Sequence, residues 1–276
     1  MKSSAFATNI LRRSLLGIGV AAPLGMMAFG SALADEVGVA STGDIKAITF
    51  DVFGTCTDYW TAFTTAGAKI DEKRGTSTDW GGVLLSMGGP FPPTFVEVLK
   101  KQRPWQSFVS LRRESLQIAL AKTNLNLPAE DLDQLNDSWA TSAAWPDVAP
   151  GLERLRRNYL LATLGNAEMG DTVRLVKLNK LGFDEILTAE LAQAIKPDPV
   201  VYQLVPRYLG LKPSQILMVA CHKADLKSAA AQGMRTAFVA RPLEFGPSAN
   251  VDTKPEASFD LNASSFEDLA TQLQLG

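Results

Sequence analysis

Residues 50–58 read FDVFGTCTD and follow a short apolar run. Acidic, glycine and small hydroxyl residues all disfavour strands. The spacing therefore predicts a strand over 45–51 that ends on Asp51. The cluster behind it, with Gly54 and Thr55, is either an ordinary turn or a site built on the rim of a sheet.

Working outward, three more short runs rich in Val, Ile, Leu or Phe read as strands, at 160–164, 216–220 and 236–240. Helical patterns lie between them at 172–181, 199–209 and 225–232, the last closed by Gly233, and 258–275 adds a strand–helix unit. Strands alternating with helices predict an α/β fold, a doubly wound parallel sheet with right-handed crossovers. Residues 61–147 break that rhythm. They are helical by pattern at 94–101, 108–122 and 131–144, with a Gly/Pro-rich interruption at 88–93, and Pro146 and Pro150 mark the return to the sheet. The expected organisation is a core of 44–60 and 148–276 with a helical cap of 61–147 inserted after the first strand.

The first 34 residues contain no Asp or Glu. Arg12 and Arg13 precede an apolar, Gly- and Ala-rich stretch, followed by Ser31-Ala32-Leu33-Ala34 and then Asp35-Glu36. This is the layout of an export signal of the twin-arginine type, with 35–43 as a linker. It implies a periplasmic or secreted protein with no stable membrane association once the signal is cleaved. An uncleaved anchor ranks second, because Gly17, Gly19, Pro23 and Gly25 interrupt the stretch, and a core helix ranks third. The net charge of −2, with no run of like charge, speaks against nucleic-acid or anionic-membrane partners.

Two cysteines, Cys56 and Cys221, and one histidine, His222, form no zinc pattern. In an exported chain a Cys56–Cys221 disulfide across the sheet rim is one option, two free thiols the other.

In parallel α/β sheets ligands bind beyond the carboxyl ends of the strands. The residues there are Asp51, Gly54 and Thr55; Gly165 and Asn166; Lys196 before Pro197; and Cys221, His222 and Asp225. Lys196 beside Asp51 would hold that carboxylate ionised, and an ionised carboxylate freed of water is a competent covalent nucleophile. Each residue has a blander reading: Asp51 and Asp225 as helix caps, Lys196 as a surface residue before a Pro-started helix. Asp51, Asn166, Lys196 and Asp225 together, in this order, are much harder to reach by chance.

The order FDVFGT, LATLGN, KPDPVVY, MVACHKAD resembles the haloacid dehalogenase superfamily, and within it the type II 2-haloacid dehalogenases. The stretches WPDVAPGLERL (145–155), TAELAQAIKPDPVVY (188–202) and GMRTAFVARPLEFGP (233–247) are similar to that family's sequences. The resemblance implies a Rossmann-like core of the haloacid dehalogenase type. It makes Asp51 the nucleophile, Lys196 its charge partner and Asp225 a further catalytic group. Thr55, Asn166, Tyr202, His222 and Phe53 fall at substrate-binding positions. The implied reaction is halide displacement from a short 2-haloalkanoic acid through an aspartyl ester, then hydrolysis to a 2-hydroxy acid, with no metal or other cofactor. The implied partner is a small halogenated carboxylic acid, and a homodimer is compatible. A magnesium-dependent phosphatase is the first alternative, but Phe53 stands where such enzymes carry a general acid. A catalytically weakened, exported carboxylate-binding protein is the second.

Two departures from the family pattern motivate that second alternative. Gly165 stands where the family has Ser or Thr, with Thr163 lower on the same strand. The family's halide-gripping cap arginine should fall near 86–89, where this chain reads SMGG. Arg103, Arg112 and Arg113 are the substitutes, each expected on a helix surface. Of the cap aromatics Trp80, Phe91, Phe95, Trp105 and Phe108, most are expected in the helical core and some in a substrate pocket.

Overall fold

The structure, a computed structural model, describes residues 44–123 and 125–274, so the expected export signal and linker lie outside the described residues. Five strands form one parallel sheet: β1 (Ala47–Phe50), β4 (Leu160–Thr163), β5 (Ile216–Ala220), β6 (Arg235–Val239) and β7 (Leu261–Ala263), in the order β4-β1-β5-β6-β7. A two-residue antiparallel ribbon, β2 (Thr57–Asp58) with β3 (Ala143–Ala144), stands apart from it.

The three central strands, β1, β5 and β6, are nearly continuous in apolar residues because both their faces are covered. Successive side chains alternate between two cores. Ile48, Phe50, Leu217 and Val219 point into one, and Ala47, Ile216, Met218 and Ala220 into the other. The first core is closed by α1 (Tyr59–Arg74), α2 (Trp80–Met87), α6 (Val148–Leu155), α7 (Met169–Leu178) and α11 (Phe266–Gln274). The second is closed by α3 (Pro93–Leu99), α4 (Phe108–Ala121), α8 (Pro199–Tyr202), α9 (Leu204–Leu209) and α10 (Lys223–Ala231). A final helix, α5 (Ala129–Asp137), packs on α1 and α4. Among the described residues, no helix is long and apolar enough to cross a membrane.

After β1 the chain leaves for α1–α5 and returns through β3. It then lays β4 on one side of β1 and β5 on the other. This reversal opens a crevice at the carboxyl end of β1, where Asp51 sits. Asp58, last residue of the opening stretch, caps α1 by accepting from the Thr61 N–H at 2.9 Å.

Four expected elements differ in detail. The strand over 45–51 narrows to Ala47–Phe50, although the Asp51 N–H still donates to Val219 at 3.0 Å. The helix over 199–209 divides into α8 and α9, because Pro206 has no N–H to offer the Tyr202 carbonyl. The helix over 131–144 stops at Asp137, and its tail becomes β3. Residues 148–155, read only as the return of the chain, form α6, with Pro150 in the first turn where its missing donor has no partner to lose. Gly151 lets α6 press against α11: a Cβ there would stand 2.4 Å from the Phe266 Cβ.

Candidate active site

The turn after β1 aims the site. Gly54 has φ +84°, a left-handed conformation that L side chains rarely adopt, and a Cβ on it would lie 2.4 Å from the Glu244 Oε1. The turn is tied down from outside. The Trp145 indole N–H donates to the Gly54 carbonyl at 2.8 Å, and the Trp145 backbone N–H to the Cys56 carbonyl at 3.0 Å. Buried Arg241 donates through Nε to the Thr55 carbonyl at 2.8 Å and through Nη1 to both Asp147 carboxylate oxygens.

Asp51 is 8% exposed. The Lys196 ammonium donates to its Oδ1 at 3.2 Å, and the Thr55 hydroxyl to its Oδ2 at 2.8 Å. His222 Nδ1 lies 3.1 Å from the same Oδ2. Burial alone would raise the Asp51 carboxyl, but the Lys196 charge and the His222 and Thr55 contacts outweigh it and hold the group well below the ordinary carboxylate range. Lys196 is equally buried. Burial disfavours its cation, yet Asp225 and Asp51 together push it above its usual value. Its second bond, to Asp225 Oδ2, is 2.7 Å, and the Tyr202 hydroxyl donates to Asp225 Oδ1 at 2.6 Å. Asp225 therefore lies in the first turn of α10, bonded to the site; the cap position belongs to His222. Asn166 accepts the Lys196 backbone N–H at 2.9 Å and so positions the lysine.

A cavity of about 480 Å³ opens onto this network. Asp51, Lys196, Asn166, Tyr202, His222 and Asp225 form its polar floor. Phe53, Pro90, Phe91 and Leu99 give it apolar walls. All eight residues singled out in the sequence thus lie at one place. Thr55 supports it from beneath, and the other seven line it.

Sequence reasoning missed two residues. Glu244, 2% exposed, accepts from His222 Nε2 at 2.7 Å, from the Tyr59 hydroxyl at 3.2 Å and from the Cys221 thiol at 3.6 Å. Arg241 braces the turn as described. Both sit in ARPLEFG, where a charged residue among apolar ones just past a strand end was the signal available, the same one that marked Asp51.

Two expectations are corrected, and the choice left open for the cysteines is decided. Arg103 and Arg113 do form surface ion pairs, with Glu97, Glu114 and Asp133, but Arg112 is 2% exposed. It lies over the Phe53 and Trp139 rings and pairs with Asp171, because those aromatic faces shelter its planar cation. Thr163 does not stand in for the residue missing at Gly165. Its hydroxyl donates to the Leu187 carbonyl and accepts the Leu187 N–H, and a Cβ at Gly165 would come within 3.3 Å of Val52. Cys56 and Cys221 are not bridged. The Cys56 thiol is turned to the Asp51 carbonyl at 3.1 Å, and burial raises both thiols. Of the cap aromatics, Phe91 reaches the cavity, while Trp80, Phe95 and Phe108 are core.

Cys221, His222 and Glu244 bring ligand-type atoms within 4.8 Å of one another. The chemistry is that of a hydrogen-bond network. Both His222 nitrogens face carboxylate oxygens, which only accept, so the ring has no lone pair left to offer a cation.

The model of the haloacid dehalogenase-like hydrolases matches residues 45–233. The chain superposes on the L-2-haloacid dehalogenase PA0810 with a TM-score of 0.79 and 33% identity, over 84% of this chain and 100% of that one. It superposes equally, at 0.79 and 30% identity, on the defluorinating L-2-haloacid dehalogenase Rha0230, over 83% and 95%. In sequence it is 27% identical over 200 residues to (S)-2-haloacid dehalogenase 4A of Burkholderia cepacia, covering 71% of this chain and 84% of the relative. The parallel sheet, the acid at the switch point and these likenesses place the chain in the haloacid dehalogenase-like hydrolases, as an enzyme of the 2-haloacid dehalogenase type that acts on carbon–halide bonds.

Proposed function

We propose that the enzyme converts short 2-haloalkanoic acids to 2-hydroxy acids through an ester on Asp51. The observation that carries this reading is a buried carboxylate, kept ionised by Lys196, at the floor of a mostly apolar cavity. In that cavity water no longer solvates the anion, and it attacks the carbon bearing the halogen while halide departs in line. Phe53, Pro90, Phe91 and Leu99 are apolar walls for the alkyl chain, and Lys196 supplies positive charge toward the substrate carboxylate. Water, its proton accepted by Asp225, then opens the ester at the Asp51 carbonyl carbon. Tyr202 and Lys196 orient Asp225 for that step, and Asn166 keeps Lys196 in place.

Halide needs no proton to leave. Phe53, where a phosphatase of this fold would need an acid, is therefore tolerable here and a handicap for phosphoryl transfer. The scheme requires no metal. We also read 1–34 as an export signal delivering the enzyme outside the cytoplasm.

The test is halide release by purified protein across chloro-, bromo- and fluoro-substituted acetates and propionates, with and without EDTA. Release that resists EDTA and disappears in Asp51→Asn is expected. No halide from any member of the panel would refute the reading.

A further inference from the structure

We propose that His222 works as a fixed imidazolium that stabilises the oxyanion formed when the Asp51 ester is hydrolysed, and that Glu244 is the positioning residue that keeps it charged. This rests on the proposed ester mechanism and deepens it.

The argument starts from which oxygen is free. Asp51 Oδ2 takes two donors, Thr55 at 2.8 Å and His222 at 3.1 Å, whereas Oδ1 takes Lys196 alone at 3.2 Å. Attack through Oδ1 leaves Oδ2 as the ester carbonyl oxygen, already between its two donors. Donors at 2.7–3.1 Å from the atom that will carry the charge are the geometry of an oxyanion hole. The imidazole is charged for a reason legible in the contacts. Its Nδ1 faces Asp51 and its Nε2 faces Glu244 at 2.7 Å, so both nitrogens must donate. Glu244 itself is surrounded by donors, Tyr59 from α1 and Cys221 beside His222, and remains an acceptor. Lys196, itself held by Asp225, approaches Asp51 from the other oxygen.

The step balances as follows. A water lone pair bonds to the Asp51 Cγ, the carbonyl pair moves to Oδ2, and the water proton passes to Asp225. The pair on Oδ2 then re-forms the carbonyl and the Cγ–Oδ1 bond breaks. The departing 2-hydroxy-acid alkoxide takes the proton from Asp225, and the regenerated Asp51 carboxyl ionises. Alkylation removes the negative charge beside His222 and water attack restores it, so the cation gains most in the transition state, where it accelerates the reaction.

Rapid-quench kinetics with 2-bromopropionate, read by halide release and by intact mass of the protein, separates the two steps. In His222→Leu, which fills similar space without a donor, ester hydrolysis should slow on the order of a hundredfold to a thousandfold, as for loss of one oxyanion donor. The first turnover should still release halide, and the adduct should accumulate. In the wild-type enzyme the hydrolysis rate should fall as pH rises through the imidazolium's deprotonation. Glu244→Gln should move that descending limb to lower pH, and this readout stands even where His222→Leu folds poorly. Normal halide release with unchanged hydrolysis in His222→Leu, or a limb unmoved in Glu244→Gln, would overturn the role of His222 alone. A hydrolysis rate that rises with pH would make the ring a general base and also overturn it. A single wild-type turnover in oxygen-18 water that puts the label in the product and none in Asp51 would bring down the ester mechanism with it.

Discussion

Asp51 and Lys196 stand 145 residues apart in the chain, yet their charged groups meet at 3.2 Å in a buried site, and the same ammonium binds Asp225 at 2.7 Å. One cation thus holds two carboxylates that would otherwise repel each other. Removing it leaves Asp225 with only the Tyr202 hydroxyl and Asp51 with only His222 and Thr55 on its other oxygen. Lys196→Met should therefore abolish halide release and cost about 3–5 kcal/mol in urea unfolding at neutral pH, the scale for breaking a buried ion pair from one side. The loss should shrink in Lys196→Met/Asp225→Asn, since the second change removes one of the stranded charges. A double mutant no more stable than the single one would contradict this account.

How much of this was readable before the structure depends on where the information lies. The sheet was legible because each strand is a short apolar run with a breaker behind it. Six of the eight site residues were legible because parallel topology gathers strand ends on one rim, while Phe53 and Tyr202 came only with the family resemblance. Glu244 and Arg241 were not, since they act across the fold: Glu244 on a histidine 22 residues earlier, Arg241 on a carbonyl 186 residues earlier. No local periodicity records such contacts. The burial of Arg112 was hidden for the same reason, because a basic residue on an amphipathic helix reads as solvated until Phe53 and Trp139 are placed against it.

Gly54 is where backbone and site depend on each other. Gly54→Ala places a side chain at φ +84°, costing about 1–2 kcal/mol for the left-handed backbone alone. It also drives a methyl group into a Glu244 carboxylate that three donors hold in place. The expected outcome is a lower Tm together with a displaced alkaline limb in the pH profile of turnover, as Glu244 loosens from His222. A lower Tm with the profile unchanged would confine the effect to the turn.

The pH dependence of stability follows from the same pair. Asp51 is depressed in the folded state, so its contribution is present above the unfolded carboxyl value of about 3.9 and is lost only as pH falls through its lower folded value. His222 is raised well above its ordinary value. Burial opposes its charge, but Cys221, Glu244 and Asp51 outweigh burial. Its contribution is complete below about 6.5 and fades as pH rises through the folded value. Urea midpoints should therefore be highest in mildly acidic buffer and decline toward alkaline pH, and His222→Gln should flatten that decline. Equal alkaline losses in both proteins would show that other groups govern it.

The two thiols give a direct chemical check. Cys56 is fully buried against the Asp51 carbonyl, and Cys221 is partly exposed beside Glu244. Unfolded protein treated with iodoacetamide without reductant should take up two labels by intact mass. In the folded protein Cys221 should react before Cys56, and slowly, because burial keeps it a thiol. No label without reductant would show a disulfide instead.

Arg241 joins the stability of the fold to the aim of the nucleophile. It is 6% exposed and lies against the Trp145 and Phe266 rings. Its Nη1 holds Asp147, whose carboxylate also accepts the Phe266 N–H, while its Nε holds the carbonyl of Thr55. Arg241→Met keeps much of the apolar contact but strands Asp147, so a loss of about 3–5 kcal/mol is expected. Arg241→Lys keeps the charge, yet one ammonium does not reproduce a planar fork that serves two acceptors in different directions. Lysine should therefore recover part of the stability through Asp147 and leave the Thr55 carbonyl without its donor. Thr55 would then hold Asp51 Oδ2 less firmly. The signature is a recovered urea midpoint with kcat still depressed per folded molecule. If kcat returns with stability, the arginine serves only as a strut between β6, α6 and α11, and the turn after β1 aims Asp51 without it.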